Sequence, residues 1–284
     1  YRVGGTGILA TTESCLVVNS NNVIIDHTWI WRADHGDNTG WDKNTVKNGL
    51  VVNGDNVIAY GLFVEHFQEY DIIWRGENGK TFFLQNEKCY DPQNQNDWLS
   101  HIGEKKGFAA YKVCDNVKKH YAVGLGVYDV FIYTNGASIY LDNAIEVPNK
   151  DDVLIENACI VEIASDTGPK VGINHIINNT GAGIRTGVGN DGGYAIQRLL
   201  SYNNKKSISL NDYYKDESLD NFYKYIVDNV LNTSKNINNY WKMIDTRKTI
   251  KEIIEEGIYY KSKNKEKIKN NNVDNDNFYD NRRN

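Results

Sequence analysis

Over its first 200 residues the chain alternates short apolar runs with short polar ones. The pattern repeats: Leu16-Val17-Val18-Asn19-Ser20-Asn21-Asn22-Val23-Ile24 recurs as Leu50-Val51-Val52-Asn53-Gly54-Asp55-Asn56-Val57-Ile58, with seven of nine positions identical at a spacing of 34. Each copy reads as a short strand, an Asn-rich turn and a second strand, and Asp115-Asn116-Val117 is a shorter echo. Units of this size cannot bury a face alone and must stack on their neighbours. The pattern therefore predicts an all-β fold, a right-handed single-stranded parallel β-helix of the pectate-lyase-like kind, over residues 1–203. Asn19 with Asn53 and Asn22 with Asn56 are the expected ladder rungs. Two similar hairpins in a β-sandwich are the alternative, disfavoured by the scarcity of two-residue hairpin turns.

Extending the register aligns Trp29 with Phe63, Ile30 with Val64, Trp31 with Glu65 and Arg32 with His66. A coil of 20 residues then sets Phe83-Leu84-Gln85-Asn86-Glu87 against Phe63-Val64-Glu65-His66-Phe67. Because strand side chains alternate faces, Ile30, Val64 and Leu84 should point inward. Trp29, Trp31, Phe63, Glu65, Phe83, Gln85 and Glu87 should point outward. Further strands are expected over 121–128, 137–147, 153–163 and 171–178. Two insertions, 34–48 with Trp41 and 88–107 with Trp98, fall at one corner, where solenoids commonly build a binding face.

Composition changes the picture in three places. From Asn204 to Asn284 the chain turns rich in Lys, Asn, Asp and Tyr; this tail is expected to be partly helical, over 217–231 and 240–260, and disordered from 261 on. The net charge of -5, without a long basic run, argues against a nucleic-acid partner, and no apolar run approaches the roughly 18 residues of a membrane span. The sequence starts at Tyr1 and its one methionine is Met243, which reads as a processed or truncated piece whose missing N-terminus is able to carry a secretion signal. A monomer is expected, and the N-x-S/T sequons at Asn178 and Asn232 support secretion only weakly. Cys15, Cys89, Cys114 and Cys159 show no zinc spacing and are either buried thiols or disulfides. No cofactor is expected. Asp34-x-x-Asp37 with Asn38 lacks the full calcium-loop pattern, and the Gly-rich run 180–189 lacks a phosphate-loop ending and reads as a solenoid turn.

The outward face carries the chemistry. Aromatic rings beside carboxylates suit sugars, whose C–H faces pack on rings while their hydroxyls bond to charged groups. In the 20-residue register Glu65 and Glu87 sit on adjacent coils about 4.8 Å apart and displaced by about 6.6 Å along the strand, roughly 8 Å on the diagonal. Inverting glycosidases hold their carboxyls about 6.5–9.5 Å apart. Solvated surface glutamates are the plain alternative. Asp91 and Asp97, on the second insertion, are placed to line a cleft, Arg32 either orders the first insertion or neutralises Asp34, and Glu146 reads as an exposed surface residue.

Three segments, Thr28-Trp29-Ile30-Trp31-Arg32-Ala33-Asp34-His35, then Glu65-His66, then Gln85-Asn86-Glu87-Lys88-Cys89-Tyr90-Asp91-Pro92, resemble glycoside hydrolase family 55 in order and spacing. The resemblance covers roughly residues 4–180 and is densest over 28–98. It implies an inverting, secreted β-1,3-glucanase (laminarinase) built from two parallel β-helices around one cleft, of which this chain carries one. It implies Glu87 as general acid and Glu65 as the carboxylate that holds the water; Phe83, Tyr90 and an ionised Glu65 nearby are expected to raise the Glu87 pKa. The substrate contacts expected with them are Trp29, Trp31, His66, Trp74, Gln85, Tyr90, Asp91 and Trp98, and the partner is a β-glucan. Cys89 stands where the family has proline. A non-catalytic carbohydrate-binding or adhesive β-helix that keeps the aromatic face is the second reading.

Overall fold

The computed structural model describes residues 2–3, 10–100, 105–131, 136–162, 171–185, 195–203 and 207–209. The chain divides into units Tyr1–Asp212 and Tyr213–Asn284, and every described residue lies in the first. The helical and disordered segments expected beyond 217 lie outside the described residues. In chain order the strands are β1 (Arg2–Val3), β2 (Thr12–Val18), β3 (Ile24–Asp26), β4 (Trp29–Arg32), β5 (Val46–Val52), β6 (Ile58–Glu65), β7 (Ile72–Trp74) and β8 (Gly79–Glu87). They continue as β9 (Tyr111–Val113), β10 (Lys119–Asp129), β11 (Ile139–Glu146), β12 (Asp152–Glu162), β13 (Val171–Ile177), β14 (Ile184–Arg185), β15 (Ala195–Tyr202) and β16 (Ser207–Ser209). No helix among the described residues is long and apolar enough to cross a membrane.

The two copies of the repeat lie directly on one another. Leu16, Val17 and Val18 of β2 partner Leu50, Val51 and Val52 of β5, and Ile24 of β3 partners Ile58 of β6, all in parallel. Parallel pairing of successive copies is the signature of a parallel β-helix and removes the hairpin-sandwich alternative. One sheet runs β1-β4-β6-β8-β10-β12 and the other β2-β5-β7-β9-β11-β13, each coil crossing from one to the other. The parallel register stops at the far end, where β15 and β16 add antiparallel to β12, and β14 folds back on β13. The Gly-rich segment thus begins as a hairpin turn through Gly181 (φ 87°); its residues 186–189 lie outside the described residues.

Asn side chains mark the turn. Asn53 donates to Asn19 Oδ1 at 2.7 Å, as expected, whereas the second rung joins Asn78 to Asn56 at 2.8 Å. Asn22, Asn56 and Asn78 all hold φ near 60°, the left-handed region Asn tolerates best among non-Gly residues. A second left-handed column bends the first sheet: His27, Gly61, Phe83, Gly124 and Asn157 follow paired residues on five successive coils, and all have φ between 45° and 72°. Inside, Leu62, Leu84 and Leu125 stack in register, as do Ile30 and Val64, all essentially inaccessible; each such side chain contributes about 1.5–3 kcal/mol. The expected inward face is confirmed. One buried polar chain crosses this interior, Thr81 Oγ1 to Tyr111 Oη at 2.6 Å and on to His120 Nε2 at 2.7 Å.

Coil length varies most at one corner. In the first three coils Leu16, Leu50 and Ile72 each stand eight residues before Ile24, Ile58 and Lys80, which pair in the other sheet; in the next coil Tyr111 and Tyr121, their partners, are ten apart. The return connections differ widely: 33–45, 66–71 and 88–110. The second of these is short, so the coil from β6 to β8 repeats after 22 residues, the offset at which Asn86 bonds back to the Val64 carbonyl.

Candidate functional site

That offset corrects the register. A coil of 22 residues makes Phe63 the partner of Gln85, Val64 of Asn86, and Glu65 of Glu87. The two glutamates are therefore direct ladder neighbours, about one strand spacing of 4.8 Å apart at the backbone. The diagonal of 8 Å does not exist, and with it goes the spacing argument for inversion. The alternation itself holds: Trp29 and Phe83 are exposed, Trp31, Phe63, Gln85 and Glu87 half-buried, and Glu65 is outward but covered, at 7% exposure.

Different partners hold the two carboxylates. Glu65 Oε2 accepts the Trp29 indole N–H at 2.8 Å. Glu87 Oε2 meets His66 Nε2 at 3.2 Å and the Tyr90 hydroxyl, while its Oε1 accepts from the Gln85 amide at 3.1 Å. Burial pushes the pKa of Glu65 up, against the Trp29 bond, with the neighbouring Glu87 charge adding to the rise. Glu87 moves the other way: the His66 hydrogen bond pulls its pKa down, Tyr90 and Gln85 help, and together they outweigh burial. The expectation that rings would raise Glu87 is thus overturned for the unliganded protein. Phe83 leans on Phe63 (ring centroids 5.9 Å) instead, and Tyr90 acts through its hydroxyl.

The indoles of Trp29 and Trp31 stack at 5.6 Å with 22° between their planes, an aromatic platform directly beside Glu65. Two other tryptophans are corrected. Trp74 is fully buried on β7 against Tyr111 and His120, because its short strand is core on every residue. Trp98 is also fully buried; its N–H donates to the Gln68 carbonyl and its ring packs near Lys88 and Phe131. Neither offers a platform to a sugar. Trp41, Gln68, Asp97 and Phe108 help line a separate cavity of about 560 Å³ that neither glutamate lines.

Arg32 and Asp91 form the frame behind the site. The guanidinium, 1% exposed, pairs with both Asp91 oxygens at 3.1 and 2.9 Å and donates to the carbonyls of Asn44, His66 and Gly40. It ties both insertions to the bend at His66 (φ 70°). Asp91 is therefore engaged with Arg32 rather than presented to a substrate, and Asp34 is not Arg32's counter-ion. Next in the same corner, Lys88 and Asp71 make a buried ion pair at 2.5 Å. No sequence signal links Arg32 to a residue 59 positions away. Glu146, expected on the surface, is 6% exposed and holds Lys105 and Lys112. All four cysteines are free thiols, and no group of three metal-ligating side chains occurs among the described residues.

Comparison with known proteins agrees with these motifs. Residues 1–87 match the LAM55 pectate lyase-like domain. Over 180 residues, 63% of this chain, the sequence is 46% identical to an exo-beta-1,3-glucanase of Streptomyces sp. (strain SirexAA-E / ActE), of which that stretch is 28%. The structure of sacteLam55A from Streptomyces sp. SirexAA-E superposes with a TM-score of 0.63 at 41% identity, over 71% of this chain and 34% of that one. A variant of that protein in complex with glucose matches equally well, at 40% identity. The chain thus spans about a third or less of the relatives it matches, and its resemblance to glycoside hydrolase family 55 is borne out.

Proposed function

We propose that this protein hydrolyses a β-1,3-glucan outside the cell, with Glu87 as general acid and Glu65 as the carboxylate that orients the attacking water. The observation that carries the reading is the pairing of these two carboxylates on adjacent rungs beside a stacked tryptophan platform, in a chain 46% identical to an exo-beta-1,3-glucanase. Glu87 is the more exposed of the two, at 31% of its side chain, and so the one a glycosidic oxygen can reach. A sugar lying over it removes the remaining water and favours its neutral form. Once Glu87 is neutral, its charge no longer raises Glu65, which is then free to ionise. On the inverting course that the resemblance to glycoside hydrolase family 55 implies, Glu87 gives its proton to the leaving oxygen as the glycosidic C–O bond breaks; water adds to the anomeric carbon from the opposite face and passes its proton to Glu65.

Laminarin hydrolysis followed by NMR tests this reading: the α-anomer should appear first, and a β-anomer would refute inversion. Glu87→Gln should lower turnover about 10²–10⁴-fold while retaining glucan binding. The pH profile adds a signed expectation. Loss of the Glu87 proton limits the rate at high pH, and kcat/KM reports the free protein, where its donors hold Glu87 low. The alkaline limb of kcat, which reports the complex, should therefore lie at higher pH than that of kcat/KM. The ionised Glu87 of the unliganded site and the adjacent platform also suit binding without turnover; laminarin binding with no reducing sugar released would select that second reading.

A further inference from the structure

His66 has both ring nitrogens engaged. The Trp31 indole N–H lies 3.1 Å from His66 Nδ1. An indole nitrogen only donates, so Nδ1 must accept and the ring proton resides on Nε2. Nε2 is 3.2 Å from Glu87 Oε2, which also accepts from the Tyr90 hydroxyl. The imidazole, 4% exposed, is packed 4.2 Å from the Tyr90 ring. Its backbone is held as well: its N–H donates to the Glu87 carbonyl at 2.8 Å and its carbonyl accepts from Arg32. A ring so placed has no nitrogen left for a sugar hydroxyl, which corrects the expectation that His66 binds substrate directly.

We propose that Trp31 locks His66 as the Nε2–H tautomer, making His66 a positioning residue that directs the catalytic proton of Glu87 onto Oε1. Two donors on Oε2 leave no room for a proton there. Oε1 meets only the Gln85 amide, whose own oxygen is buried without a hydrogen-bond partner; rotation of that amide turns a donor into an acceptor for an Oε1–H. Glu65 on the adjoining strand and Tyr128 on the other side flank Glu87. Around His66 stand Tyr90, Arg32 and Asp34, whose Oδ1 is 3.9 Å from Nδ1 and is already bonded to His35 at 2.8 Å. None of these supplies a competing donor to Nδ1. The tautomer lock stands on hydrogen-bond geometry alone; its catalytic consequence rests on the hydrolase reading above.

The test joins two measurements that need no turnover to one that does. In protein labelled with ¹⁵N-histidine, His66 should show the Nε2–H tautomer at neutral pH, and Trp31→Phe, which leaves the bend at His66 untouched, should release a mixture of both tautomers. Titration of the ¹³C-labelled Glu87 carboxyl should move up by about one unit or more in His66→Leu, and His66→Gln, whose amide keeps a donor toward Glu87, should restore it. With laminarin, His66→Leu should lose about tenfold or more in kcat with KM little changed, its alkaline limb moving with the carboxyl. An Nδ1–H tautomer in the wild type, or a Glu87 titration indifferent to His66→Leu, overturns the proposal. Absence of hydrolysis with both NMR results as expected counts against glucan hydrolysis and upholds the lock.

Discussion

Two histidines of this molecule each sit beside a tyrosine hydroxyl in a polar chain, yet the chains do opposite things. In the interior, His120 bonds to Tyr111 and Tyr111 to Thr81. No carboxylate joins them, and desolvation alone drives the His120 pKa down to about 3. At the corner, His66, Tyr90 and Gln85 converge on Glu87, and an ionised group at the edge of solvent becomes the point of the arrangement. Burial by itself makes a histidine inert. What turns the same residue types into a site is a charge that they share and that a ligand can reach.

The largest way to break the corner is to remove the cation behind it. Arg32→Met leaves Asp91 and three carbonyls without their donor, and urea unfolding should show a loss of about 3–5 kcal/mol together with loss of any turnover. The interior should fail by acid instead. His120 has a folded pKa below its unfolded value, so its contribution is complete above about pH 6.5 and is lost as pH falls, at about 1.4 kcal/mol per unit. Between pH 6.5 and 4.5 the wild type should lose about 2.3 kcal/mol more than His120→Leu does. The comparison between the two proteins matters, because buried Asp129 has its pKa pushed up by burial and the adjacent Glu162 and contributes with the opposite sign. The smallest effects sharpen the contrast as a mirror pair. Tyr111→Phe should cost about 1–3 kcal/mol of stability and no turnover. Tyr90→Phe should change stability by about 0.5 kcal/mol or less and raise the Glu87 titration.

Periodicity made the solenoid legible. A duplicated strand-turn-strand can be stacked in only one register, and Leu16 does lie on Leu50. The alternation around Ile30 and Val64 likewise declared which faces turn inward and outward. The coil between β6 and β8 carries no duplicated words, so the sequence leaves its length open, and a coil two residues shorter slides Glu87 away from its true partner. Trp74 and Trp98 escape the strand pattern for a different reason. Tryptophan serves core and platform alike, and only the surroundings decide: the ring of Trp74 is boxed in by the close backbone of Gly79 and by His120, neighbours that no local pattern announces. The Arg32–Asp91 clamp joins two insertions whose paths the strand pattern does not constrain. The polarity of the carboxylate pair was hidden behind these same contacts, since it depends on who donates to Glu87.

The uneven corner of the solenoid has an evolutionary consequence. Between the two sheets on one side the first five coils vary only from eight to ten residues, whereas the opposite corner admits excursions as unlike as 66–71 and 88–110. The surroundings of the site are thus written in connections of free length, and the carboxylate pair is written in the paired strands β6 and β8. A lineage can rewrite which polymer fits by exchanging such a connection without moving Glu65 off Glu87, and protein engineers can graft at the same seam.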